Sequence, residues 1–335
     1  MSVYFYIKDT KHNGDMTIGQ ISDIAYPVTQ CEFNPDFGNI EHALAYKINS
    51  RDYTLFGQPG VSARGFNLSF DMDKNSYCVE IFLPCSISDF KVAFDFIKTL
   101  CNFLGVDRVF TEKGEEYSTA PVDKFKAVFD YFKNISARLS SNNSNTDNEE
   151  ENTALSLEKY PHIQQIISGL KQTLENLKMQ TNKNTIEISG IARPVSFNEK
   201  MLTDIISSHN PAEKFSEFIT NIQNLDAYSA NQKIFINKYI GFYQLVENII
   251  TVLPYKPKVD PEALLRGKKE DVSHFELRLI VADCCQDNKN AYHELGQIKY
   301  TEFIERLPKD KYKFIDANHI LIEGLSRREI ENLLV

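Results

Sequence analysis

Two short runs, Phe66-Asn67-Leu68-Ser69-Phe70 and Tyr77-Cys78-Val79-Glu80-Ile81-Phe82-Leu83, carry apolar side chains at alternate positions. A period of two sends successive side chains to opposite faces of an extended chain. Between them Asp71-Met72-Asp73-Lys74-Asn75-Ser76 is a polar turn, so the pattern predicts a β-hairpin. The period then changes. Phe90, Ala93, Phe94, Ile97, Cys101 and Leu104 recur at helical spacing, with Ser86 or Ser88 as N-cap and Gly105 as a left-handed C-cap. Phe96, Leu100 and Phe103 widen that stripe, which predicts a helix buried on more than one side.

Upstream, Val3 to Ile7 is β-branched and aromatic and reads as a short strand. Pro121 suits the first turn of a helix running to about Leu139, and a further helix is expected from about Ser156 to Met179. Thr185 to Ser189 alternates as a strand, and Asn210-Pro211 caps and opens a helix. Ile234 to Leu253 is rich in β-branched and aromatic residues and is read as strands. Phe275, Leu277, Leu279 and Val281 alternate with His274, Glu276 and Arg278, a strand with a wet face at its start. The last stretch reads as a helix near Tyr300 to Leu307, a strand from Phe314 to Ile322 and a helix from Ser326 to Leu334. Ser326 and Glu329 make a capping box at the start of that helix.

Helices and strands do not alternate regularly, so the expected class is α+β, with mixed or antiparallel sheets carrying packed helices, rather than a doubly wound parallel sheet. Residues 140–152 contain no apolar side chain, and ordering them would cost roughly 1 kcal/mol or more per residue without compensating burial. They are expected to be a mobile acidic linker or loop between an α+β half over 1–139 and another over 153–335. A chain of 335 residues is long enough for two such domains.

Composition removes whole classes of function. The 37 Lys plus Arg against 46 Asp plus Glu give a net charge of −9, the wrong sign for a nucleic-acid footprint or an anionic membrane surface. The densest basic stretch, 266–269, runs straight into Glu270 and Asp271. No segment approaches eighteen uninterrupted apolar residues, and the N-terminus lacks the form of a signal peptide. Cys31, Cys78, Cys85, Cys101, Cys284 and Cys285 follow no metal or disulfide spacing, so reduced thiols in the cytoplasm are expected. The 23 Phe and 16 Tyr read mainly as core filling.

Candidate chemistry is sparse. Gly57-Gln58-Pro59-Gly60-Val61-Ser62-Ala63-Arg64-Gly65 is the most pointed feature, because Gly60 and Gly65 let a backbone approach an anion that Arg64 could pair. Phosphate loops lead into a helix, whereas a strand follows here, so a structural turn competes with a ligand site. His293-Glu294 begins a zinc-protease helix motif but Gln297 replaces the second His. His274-Phe275-Glu276 resembles the His-x-Glu of zinc deaminases without the Cys pair, leaving half a polar patch on one strand face. Adjacent Cys284 and Cys285 read as two thiols rather than a strained disulfide. No nucleophile elbow is present, and neither a catalytic residue, a metal nor a cofactor is assigned.

Three places together carry a resemblance. They are the opening Ser2-Val3 with Phe5, Ile7 and Lys8; Gly60 to Phe66 with the hairpin, Pro84, Asp89 and the Ala93 to Lys98 helix; and Phe314-Ile315-Asp316-Ala317-Asn318 with Ile320, Ile322, Leu325 and Ser326. The chain resembles family 4299, a domain of unknown function from cytoplasmic proteins of Firmicutes and related bacteria. The resemblance implies a bacterial host and brings no catalytic residues. The expected function is a non-catalytic interaction or regulatory role in the bacterial cytosol, exerted on a protein partner. The alternative is an enzyme or small anionic-ligand binder using Arg64, Gly60 and Gly65. Oligomeric state is not set by the sequence.

Overall fold

The computed structural model describes residues 1–30, 40–48, 54–111, 116–118, 161–180, 183–230, 232–235, 240–259, 272–282 and 292–335. The expected helix from Pro121 to Leu139, the polar stretch 140–152, the basic stretch 266–269 and Cys31, Cys284 and Cys285 lie outside them. The chain forms two compact units. The first comprises Met1–Lys183, Ser189–Ile191 and Glu199–Gln223, and the second Asn184–Ile188, Ala192–Asn198 and Asn224–Val335. Both combine helices with antiparallel or mixed sheets, so the class is α+β.

In the first unit the strands are β1 (Ser2–Lys8), β2 (Thr29–Gln30), β3 (Leu55–Gly57), β4 (Phe66–Asp71), β5 (Ser76–Phe82), β6 (Arg108–Thr111) and β7 (Glu116–Ser118). They make one antiparallel sheet in the order β2-β3-β4-β5-β1-β6-β7. The hairpin register aligns Leu68, Val79 and Phe5 in one cross-strand row and Phe70, Tyr77 and Ile7 in the next. All six are buried. The opposite face is polar: Tyr4 Oη and Asn67 Nδ2 donate to the two oxygens of Glu80 at 2.9 and 3.2 Å. The helices are α1 (Ile18–Ala25), α2 (Ile40–Leu44), α3 (Ile87–Leu104), α4 (Pro161–Met179), α5 (Glu199–Ile206) and α6 (Pro211–Gln223). On α3, Phe96 meets Phe56 and Phe66 and Phe94 meets Phe5. Each fully buried Phe contributes roughly 1.5–3 kcal/mol. The predicted caps are both formed: Ser86 accepts from Asp89, and Gly105 is left-handed.

The second unit contains β8 (Thr185–Ile188) and β9 (Val195–Asn198), a hairpin, and two four-stranded sheets. One sheet orders β10 (Tyr228–Ser229), β13 (Thr251–Pro254), β17 (His319–Ile322) and β16 (Tyr312–Phe314); the other orders β11 (Lys233–Phe235), β12 (Ile240–Val246), β14 (His274–Ala282) and β15 (Tyr292–Lys299). Pairs β10–β13 and β12–β14 are parallel and the rest antiparallel. Helices α7 (Tyr300–Arg306) and α8 (Arg327–Leu334) complete the unit. Leu245, Leu277, Leu279, Phe303, Ile320 and Ile330 lie at the centre of its core. The strand expected from Phe314 to Ile322 is broken in two. Asp316 interrupts it, because its carboxylate accepts the N–H groups of Asn318 and His319 and turns the backbone. Among the described residues no helix is long and apolar enough to cross a membrane.

Candidate functional site

The glycine-rich loop proves to be a site that the chain fills itself. Between β3 and β4 it turns through Gly60 and Gly65, both left-handed at φ 74° and 66°. The backbone N–H groups of Ala63, Arg64 and Gly65 converge at 2.9–3.1 Å on the carboxylate of Asp89, in the first turn of α3. Ser86 adds its N–H and its hydroxyl at 3.0 and 2.7 Å. Every one of these contacts donates, so the pocket fits the ionised carboxylate. Burial pushes the Asp89 carboxyl up, and the donors pull against it. The anion that the loop holds is therefore its own Asp89.

Arg64 lies on the same loop with its fork turned to carbonyls. Nε donates to Ser189 O at 2.8 Å and Nη1 to Pro84 O at 2.6 Å, while the guanidinium sits 5.5 Å from the Phe82 ring centre. Arg64 and Gly65 are thus brought together on an internal carboxylate, with the Arg64 side chain on two main-chain oxygens, and Gly60 lies earlier in the same loop. Nearby Cys85 is fully buried, and burial pushes its thiol well up. Burial likewise pushes Cys78 to about 11 and Cys101 to about 12. All three are free thiols shielded from reaction.

His274 and Glu276 do share a face of β14, with His274 Nε2 and Glu276 Oε1 3.0 Å apart. Ser273 Oγ lies 2.9 Å from the other ring nitrogen. Glu276 also lines a cavity of about 240 Å³ with Lys299, Glu302 and Arg306. Glu302 is 3.8 Å from both cations, and Arg306 donates to Leu333 O at the end of α8, so these charges satisfy one another. His293 and Glu294 lie in strand β15 rather than in a helix. Glu294 there faces Arg278 at 3.5 Å. Among the described residues no group of His, Cys, Asp or Glu is placed to hold a metal ion.

A third place escaped sequence reasoning. Asp316 anchors the turn between β16 and β17 through four donors: the N–H groups of Ser196, Asn318 and His319, and His319 Nδ1 at 2.8 Å. Asn318 accepts from Lys256 N and donates to Lys256 O, which ties the Tyr255–Lys256 segment to the turn. The rigid frame presents aromatic rings. Tyr255 stands 4.9 Å from Phe314 and 6.3 Å from Tyr312, and Phe314 is 52% exposed. Strand β16 pairs with β17 alone among the described residues. The available signal was Asp-x-Asn between two apolar runs, which is turn chemistry. Tyr255 lies too far along the chain to be associated with it from spacing.

Against known proteins, two overlapping segments, residues 2–127 and 123–333, match the family described as Domain of unknown function (DUF4299). The chain belongs to this family. Both glycine loop and Asp89 fall in the first DUF4299 segment, and the aromatic edge falls in the second. No curated protein and no solved structure matches the chain.

Proposed function

We propose that this member of the family is a non-catalytic interaction protein of the bacterial cytosol, acting on a protein partner through the second unit. The observation that carries the reading is the Tyr255–Tyr312–Phe314 cluster beside strand β16. Phe314 is exposed and is backed by the half-buried rings of Tyr255 and Tyr312. An aromatic side chain held on a rigid frame supplies large contact area at low ordering cost, the property of interface anchors. Here the frame is the Asp316–Asn318 network. The glycine loop favours the same reading, since the N–H groups that an anionic ligand would use are bonded to Asp89.

A photo-crosslinking amino acid at position 314, introduced in the bacterial host, tests this. The expected result is a discrete protein adduct that Tyr255→Ala diminishes. Tyr26, 85% exposed in the first unit, is the control position. Adducts at 314 no stronger than at 26 would remove the reading.

A further inference from the structure

Resting on that reading of the aromatic cluster, we propose that β16 is completed by an extended, acidic segment of the partner, which pairs as a fifth strand of the sheet. The main chain supplies the first reason. In an antiparallel ladder, alternate residues direct both main-chain groups toward the neighbour and away from it. Lys311 O and Ile315 N bond across to Glu323 N and His319 O, which fixes the phase. Lys313 therefore faces β17, and Tyr312 and Phe314 turn their N–H and C=O groups to the side where, among the described residues, no strand pairs. Those two residues offer the donors and acceptors that an added strand requires.

The side chains define the pattern of the segment. Leu253, Ile320 and Phe314 form one cross-strand row, and Ile322 and Tyr312 lie in a neighbouring row on the same face. Ile320 and Ile322 belong to the core, so this face is a continuation of the core toward the edge. A strand placed beside β16 meets Phe314 and Tyr312 with every second residue, which calls for β-branched or aromatic side chains there. Its intervening residues lie on the face of Lys313, which is exposed. Lys309 and Asp310 in the turn before β16 are exposed, as is Lys256, which is tied to Asn318 after it. Asp or Glu at those intervening positions complements Lys313. Lys313 disfavours a second copy as the occupant, since antiparallel self-pairing of β16 brings the exposed Lys313 of two chains together, whereas Lys311 is already paired with Glu329 at 2.8 Å.

The test uses the full chain and the capped peptide acetyl-Val-Glu-Ile-Glu-Val-amide. Backbone NMR should place its largest shifts at Tyr312 and Phe314, with Phe314→Ala weakening binding about tenfold. Lys313→Glu should weaken it by about fivefold at low salt and favour the peptide with Lys in place of Glu. N-methylation of the peptide's edge-facing amides should abolish the shifts. Equal binding of the Glu and Lys peptides, survival of binding after N-methylation, or no shift at β16 would overturn the proposal. A concentration-dependent dimer lost on Lys313→Glu or Phe314→Ala would overturn it in favour of a second copy. If crosslinking from position 314 still gives a protein adduct in any of these cases, the interaction reading stands and only the acidic strand fails.

Discussion

Asp89 shows how a loop that looks like a ligand site in sequence can be spent on structure. Three backbone N–H groups of the glycine loop and two donors of Ser86 meet its carboxylate. Asp89→Asn keeps the shape but turns an amide toward some of those donors. It is expected to destabilise the first unit by about 2–4 kcal/mol, read from chemical denaturation. The glycines separate in the same way. A Cβ at Gly65 would overlap the Phe56 carbonyl oxygen, whereas one at Gly60 meets nothing within 4 Å. Gly60→Ala should cost only about 1 kcal/mol, the left-handed backbone penalty, and Gly65→Ala clearly more. Equal costs would show that Gly65 is not closely packed. Residue types were legible here and their partners were not: the three glycines and Arg64 stand out by eye, but Asp89 lies on another element.

At the scale of elements, local signals did best. The β4–β5 hairpin and α3 formed where period and caps predicted, since a turn, a cap and an apolar stripe lie within a few residues of one another. The strand read from Phe314 to Ile322 ran through a turn at Asp316. The capping box of α8 yields a pH test. Lys311, 2.8 Å away, and the Ser326 hydroxyl and N–H hold the Glu329 carboxyl down at about 2. A folded-state value below the unfolded one stabilises above about pH 4.5, the ordinary Glu value, and the gain disappears as pH falls toward 2. Protection factors within α8, corrected for the intrinsic pH dependence of amide exchange, should therefore fall over that window, and Glu329→Gln should remove that fall. A variant that keeps it would assign the effect to another group.

For the whole molecule, strand order was the hardest thing to read. β1 lies between β5 and β6, and nothing in Val3 to Ile7 names either neighbour. The aromatic edge has the same origin, since Tyr255 and Phe314 meet only once β17 has paired with both β13 and β16. Because each unit has its own buried residues, damage should stay local. Ile320→Ala, at a fully buried site in the second unit, is expected to cost about 2–5 kcal/mol. Hydrogen exchange should report it across β12, β14 and β17 while β1, β4 and β5 keep their protection. Loss of protection in both would mean that the two units open together.

The strands of the second unit do not fill one sheet and then the next. Along the chain β10 enters one sheet, β11 and β12 the other, β13 returns, β14 and β15 leave again, and β16 and β17 come back to close. Such weaving leaves no point at which the polypeptide can be cut to separate one finished sheet from the other. A fragment ending after β15 would hold β13 without β17, the strand that gives it all four of its antiparallel pairs. Neither sheet is therefore a module that could be expressed, swapped or permuted alone, and the second unit must be handled as a single piece.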